Sequence, residues 1–298
     1  MVISRIKSNN KLSFHMIRNV ASIEYVKWLI NPRIVIMLIL YAFIYDYVID
    51  ELLKGAERMD SYVMLVEPFI AIANSELLVM VIPSVFLVLM SDFPKTDGNT
   101  MFYIQRVGKN NWILGQIVFG IMSAITYLTS VIIVSFVMIA HKGFLKNVWS
   151  PVVTQYVKNF PTETKAKIPS LINSKLYNNL TPLQAFLLTI SLMLLYLVLM
   201  ELLMLIGFST GKRIVGMLIG YTIIAVGSSL VVLGVKSMWC FPTSHAIAWL
   251  HFDDVLRIQK FDIGYSYLYF LVIIAVMTIL SLVCVKRYDF SKVTDMED

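Results

Sequence analysis

Six stretches of the chain stay apolar for about the 20 residues that a helix needs to cross the hydrocarbon core of a bilayer. They run 33–50, 69–90, 112–140, 183–206, 214–236 and 265–285, with polar residues gathered between them. This pattern predicts an all-α integral membrane protein with six transmembrane helices in a single domain, 1–298. At 1.5 Å per residue the third stretch is longer than the hydrocarbon requires, so it is expected to tilt or to project beyond the bilayer.

The segments between the spans carry patterns of their own. Within 11–30, His15, Arg18, Asn19 and Ser22 recur at i, i+3, i+4 and i+7, a polar stripe on one helix face. Met16, Ile17, Val20 and Ile23 lie on the other side, interrupted by Glu24 and Lys27. An amphipathic interfacial helix is the expectation, closed by Asn31-Pro32 ahead of the first span. In 91–111, Asn99 can cap a short helix through Met101–Gln105, and Gly108 can end it. The segment 141–182 holds four prolines and six lysines against a single acid, Glu163, and exceeds the length of a passive connector. It is expected on the outer surface or against a partner. In 237–264, Trp239, Phe241, Trp249 and Phe252 suit a membrane interface, and Pro242-Thr243-Ser244 suits a helix start.

Composition narrows the class. The chain is 58% hydrophobic and 15% charged, with a mean hydropathy of +0.75, whereas a soluble domain carries about 25% charged residues. The net charge of +6 sits at the ends of apolar runs, where anionic headgroups meet it. No basic stripe with interleaved aromatics exists, which argues against nucleic acid. Arg5, Lys7, Lys11, Arg18, Lys27 and Arg33 precede the first span, and Asp46, Asp50 and Glu51 lie at its far end. Lys95, Arg106, Lys109, Lys212, Arg213, Lys286, Arg287 and Lys292 fall on the same side as the first group. The excess of basic flanks predicts N-in and C-in. With no signal peptide in the first thirty residues, the first span doubles as the targeting signal. Cys240 falls in an outer segment and Cys284 in the last span, so no disulfide is expected between them.

Candidate chemistry is sparse. Gly207-Phe-Ser-Thr-Gly211-Lys212-Arg213 has three residues between its glycines, where a phosphate-binding loop needs four, and arginine where Ser or Thr should follow the lysine. It reads as a tight inner turn. Gly216-Met-Leu-Ile-Gly220 permits a close helix crossing, and intramolecular packing is favoured over a subunit contact. Acids inside spans need a partner or a wet cavity. Glu201 is expected to pair with Lys212, Arg213 or Arg33 as a structural residue, while Asn74, Ser75 and Glu76 are candidates for a polar translocation path, with Pro83 kinking the helix below. The alternative, which is favoured, is that Glu76 snorkels to the outer headgroups. His245, His251, Asp253 and Asp254 are the polar residues that a membrane enzyme acting on lipid would use. The six-residue spacing of the histidines does not match a helical zinc motif. No catalytic, metal or cofactor-binding residue is predicted, and the chain is not expected to be an enzyme.

The order of these parts resembles a known family. An amphipathic helix precedes the first span, a short inner helix lies between the second and third, and an aromatic outer segment follows the fifth. Local words agree: Arg106-Val-Gly-Lys109-Asn-Asn-Trp112, Thr181-Pro182-Leu-Gln-Ala185, Phe241-Pro242-Thr-Ser-His245-Ala246 and Cys284-Val-Lys286-Arg287-Tyr288-Asp289-Phe290. Over nearly its whole length the chain resembles the permease subunit of ABC-2 type exporters of Gram-positive bacteria. The resemblance implies a multi-pass protein of the bacterial cytoplasmic membrane, paired as a homodimer or heterodimer and contacting membrane lipids. It also implies a separate ABC ATPase subunit that binds ATP and Mg, with segment 97–109 as the coupling helix. Asp97, Tyr103, Gln105, Arg106 and Lys109 would then make the ATPase contact. The substrate would be an amphipathic peptide or a lipid. The lysine-bearing segment 141–182 departs from the most compact members. A lipid-modifying enzyme and a non-transporting immunity or scaffold protein are the other classes.

Overall fold

The computed structural model describes residues 12–94, 100–161 and 167–287. It is all-α apart from one two-residue parallel strand pair, β1 (Val63–Met64) with β2 (Gly143–Phe144). The first helix, α1 (Phe14–Leu29), is followed by Asn31, whose side chain accepts the Arg33 N–H at 3.0 Å. With Pro32 in the first turn, this cap starts α2 (Pro32–Arg58), which contains a π-helical stretch at Tyr45–Ile49. Next come α3 (Glu67–Asn74), α4 (Leu78–Leu89), α5 (Thr100–Val107) and the 31-residue α6 (Lys109–Ile139). After four single-turn helices within 151–177 come α7 (Pro182–Ser209), α8 (Arg213–Leu233), the short α9 (Pro242–Ala246) and α10 (Ile263–Arg287).

Among the described residues, five helices are long and apolar enough to cross a membrane: α2, α6, α7, α8 and α10. The chain is therefore a multi-pass membrane protein. Helix α7 is the centre, packing on α3, α4, α6, α8 and α10, with 67% of its most apolar stretch buried against 17% for α10. The exposed Leu268, Leu271, Val272, Val276 and Ile279 of α10 form a stripe that only lipid or another apolar surface can cover.

The stretch 69–90 is not the continuous span that its hydropathy predicts. It is two helices, α3 and α4, bent 84° apart. Ser75 takes an extended conformation (ψ 135°), and the Asn74 side-chain amide donates to the Ile70 carbonyl at 3.0 Å. The break therefore falls at Ser75, eight residues before Pro83, which is accommodated inside α4. Counted as one broken span, the pair brings the total to six.

The described parts of segment 141–182, residues 141–161 and 167–182, form a folded cap. Val152, Val153, Tyr156, Ile168, Leu171 and Leu176 are buried, and Arg58 donates to the Tyr156 hydroxyl at 3.0 Å. The buried Glu67 carboxylate accepts the backbone N–H groups of Ser150 (2.6 Å) and Met64 (3.2 Å), fastening the cap to the start of α3. On the other side, Asp254 accepts from Ser174 and Asn178, both at 2.7 Å.

Helix α1 lies lengthwise on the first half of α6, from Asn111, which accepts the Ser13 N–H, to Thr126, which hydrogen-bonds the Tyr25 hydroxyl. Val20, Ala21 and Glu24 are its buried residues, and a Cβ added at Gly115 of α6 would stand 2.5 Å from the Val20 Cβ. Gln184 caps the other end of the bundle by accepting the Thr181 N–H at 3.1 Å, with Pro182 opening α7.

Candidate functional site

At the end of the bundle where α4 finishes and α6 begins, α5 is an amphipathic helix of eight residues. Its Ile104 and Val107 are buried, whereas Phe102, Gln105 and Arg106 are exposed. A single residue, Gly108, joins it to α6. Its φ of 87° is one that side-chain-bearing residues rarely adopt, and its N–H donates to the Ile104 carbonyl at 2.8 Å. Helix α5 is thus tied to α6 without slack.

The residues predicted for ATPase coupling do not share one face. Gln105 points to solvent. Tyr103 and Arg106 line a groove between α5 and α1, together with His15, Asn19 and Ser22 from the polar stripe of α1. Lys109 donates to the Lys286 carbonyl at 3.4 Å, linking α6 to the end of α10. Asp97 lies outside the described residues. Phe102 is 71% exposed and was missed by the sequence reading, although an aromatic side chain in a polar segment was a signal. At the same end Arg33 pairs with Asp92 and donates to Ser91 Oγ at 2.8 Å, and Arg213 donates to the Pro94 carbonyl while lying over the Phe208 ring.

With both arginines so engaged and Lys212 exposed, Glu201 is left without the cation expected for it. Glu201 is fully buried, neither carboxyl oxygen has a hydrogen-bond partner among the described residues, and its side chain lies on the bare backbone of Gly120 in α6. A Cβ at Gly120 would stand 2.1 Å from the Glu201 Cδ. Gln116, one turn along α6, is also buried without a partner. Gly120→Ala is expected to destabilise by about 2 kcal/mol through overpacking. Glu201→Ala in the same chain should recover most of that loss, as a double-mutant cycle on melting temperature would show.

At the opposite end, the candidate path residues part company. Asn74 is a clamp. Its amide donates to Thr189 Oγ1 at 2.9 Å, its Oδ1 accepts the Ala248 N–H at 2.8 Å, and its carbonyl accepts the Trp249 indole N–H at 3.0 Å. Ser75 is buried beside it, and Glu76 is exposed at the bend. Only Glu76 of the three is free to meet a passing molecule.

His245 and His251 are buried and share Ser266 of α10, at 2.8 Å from His245 Nδ1 and 2.7 Å from His251 Nε2. His245 Nε2–H donates to the Trp239 carbonyl at 2.8 Å and His251 Nδ1–H to the Ile247 carbonyl at 3.1 Å, so His245 Nδ1 and His251 Nε2 both turn a lone pair to Ser266 and share its one hydroxyl proton. Asp253 and Asp254 do not join them: Asp253 accepts the N–H groups of Val255 and Leu256, and Asp254 holds the cap. The four residues of the enzyme alternative do not converge. Burial pushes the His251 imidazole from 6.5 down to about 4, so it is neutral at physiological pH. Below the unfolded value the unfolded chain binds the proton more readily. The contribution of His251 to stability is therefore full above pH 6.5 and is lost as the pH falls toward 4, by on the order of 3 kcal/mol. Melting temperature across that interval checks this, and His251→Asn should flatten the profile.

Comparison with protein-family models, curated proteins and solved structures gives no match. The function must therefore be argued from the site itself.

Proposed function

We propose that the chain is the membrane permease subunit of an ATP-driven exporter, acting as a dimer and coupled to a separate ATPase. In this reading the bent pair α3–α4 is one broken span, giving six. Both termini face the cytosol, α1 lies at the inner interface, and the cap made by 141–182 lies outside. The membrane is the bacterial cytoplasmic membrane. Arg33, Arg106, Lys109, Lys212, Arg213, Lys286 and Arg287 all belong to the α5 end, which supports placing that end inside.

The observation that carries the proposal is the construction of α5. A short helix with an exposed aromatic and polar face is joined through Gly108 alone to the longest span. A partner that grips α5 and closes can convert its movement into a tilt of α6, and through α7 into a rearrangement of the bundle. Phe102, Gln105 and Arg106 supply the contact. Tyr103 supports it from the groove, and Lys109 steadies the base of α6. ATP and Mg belong to the partner. The transported molecule is an amphipathic peptide or a lipid, and Glu76 at the break is the residue placed to meet it.

The test is co-purification. The protein isolated from its host should carry an ABC ATPase. Arg106→Glu should weaken that association by at least about tenfold, since a reversed charge at an interface costs several kcal/mol. Gly108→Pro, which cannot adopt a positive φ, should do the same while membrane insertion is unchanged. Absence of any ATPase from the wild-type preparation would count against the exporter and in favour of a non-transporting scaffold.

A further inference from the structure

The groove between α1 and α5 has features that docking of an ATPase does not require. Its volume is about 560 Å³, within the range of small-molecule sites. The polar residues of its wall are His15, Asn19, Ser22, Tyr103 and Arg106, all able to donate hydrogen bonds, and no carboxylate lines it among the described residues. The one acid of α1, Glu24, is buried toward α6 and paired with Lys27 at 3.5 Å. Arg106 has no hydrogen-bond or ion-pair partner among the described residues. The Tyr103 hydroxyl is buried without a hydrogen-bond partner among those residues, a deficit that a bound ligand or water ordinarily makes good. Burial, with a smaller push from the charge of Glu24, raises the Tyr103 phenol above its ordinary value, which keeps it a neutral donor. Met16, Ile23 and Val107 supply the apolar part of the lining, and Phe14 and Val26 of α1 are exposed alongside it, as residues facing acyl chains would be.

We propose that this groove binds a phosphate oxyanion, carried by an anionic phospholipid headgroup or by a soluble phosphate ester, with Arg106 holding the charge and the Tyr103 hydroxyl donating to it. The glycerol portion and first methylenes of the ligand lie on Met16, Ile23 and Val107. The inference goes beyond the exporter reading and stands without it, since it needs only a groove at the membrane surface.

Native mass spectrometry of the detergent-solubilised full chain tests it, with phosphatidylglycerol, phosphatidylcholine and glycerol phosphate as probes. Phosphatidylglycerol should be retained in preference to phosphatidylcholine. Arg106→Gln should weaken it about tenfold, equivalent to about 1.4 kcal/mol. Arg18→Gln, on the same helix but outside the groove, should leave it unchanged. Ser22→Glu places a carboxylate in the groove and should abolish binding while the melting temperature holds. Displacement by glycerol phosphate at matched concentration identifies a soluble ester as the ligand, and failure to displace identifies the lipid. Equal retention of the two lipids overturns the proposal, as does wild-type binding by both Arg106→Gln and Ser22→Glu, or an equal loss in Arg18→Gln.

Discussion

Asn74→Leu is expected to destabilise the protein by about 4 kcal/mol, lowering its melting temperature in detergent more than any other single polar substitution. The reason lies in what a broken helix needs at membrane depth. Where the ladder stops, backbone groups must find partners inside the protein. Asn74 supplies them across the break, donating to Ile70 and Thr189 and accepting from the buried Ala248 N–H. Leucine has similar volume but leaves Ala248 and Thr189 unpartnered, each at roughly 1–3 kcal/mol. Trp249→Phe removes only the indole bond to the Asn74 carbonyl and is expected to cost about 1 kcal/mol. Equal melting of wild type and Asn74→Leu would mean that the bend does not depend on this clamp.

Gly216→Leu is the second large effect, and its contrast with Gly220→Leu is the informative part. A Cβ at Gly216 meets the Gly207 Cα at 2.9 Å and the Leu203 carbonyl at 3.1 Å. Both obstacles are backbone of α7, so α8 must move away as a unit, at a cost of about 3 kcal/mol. A Cβ at Gly220 meets the tip of Leu87 in α4 at 2.9 Å, a side chain that can rotate aside. About 1 kcal/mol is expected there. Detergent stability should therefore fall in the order wild type, Gly220→Leu, Gly216→Leu, and a reversed order would refute the α7–α8 crossing.

These two sites also mark what the sequence made legible. Long apolar runs set α2, α6, α7, α8 and α10 to within a few residues at most ends, because length and apolarity are properties of the run itself. The clearest exception is α2, which continues to Arg58 where the reading stops at 50. Its last turns carry charge, and Leu52, Leu53 and Ala56 are buried against the cap, which hydropathy alone cannot reveal. The short helix α5 was legible from Gly108, Asn99 lying outside the described residues, although not the division of its side chains between the α1 groove and solvent. The break at Ser75 was not legible, since Asn74-Ser75-Glu76 within an apolar run reads as three tolerated polar residues. What stabilises it is Ala248 and Trp249, some 174 residues away. Glu201 was expected to pair because an acid in a span is costly. The arginines nominated for it are held by Asp92 and the Pro94 carbonyl, and Glu201 lies instead on Gly120.

The claim that α5 is the contact for a cytosolic ATPase is tested most directly by photocrosslinking in intact cells. A photoreactive residue placed at Gln105, which is exposed on α5, should crosslink to an ATP-binding cassette protein. The same group at Tyr62, exposed at the opposite end of the bundle, should not. If Gln105 yields no such adduct, or yields one no more often than Tyr62, α5 is not a coupling helix and the exporter account fails.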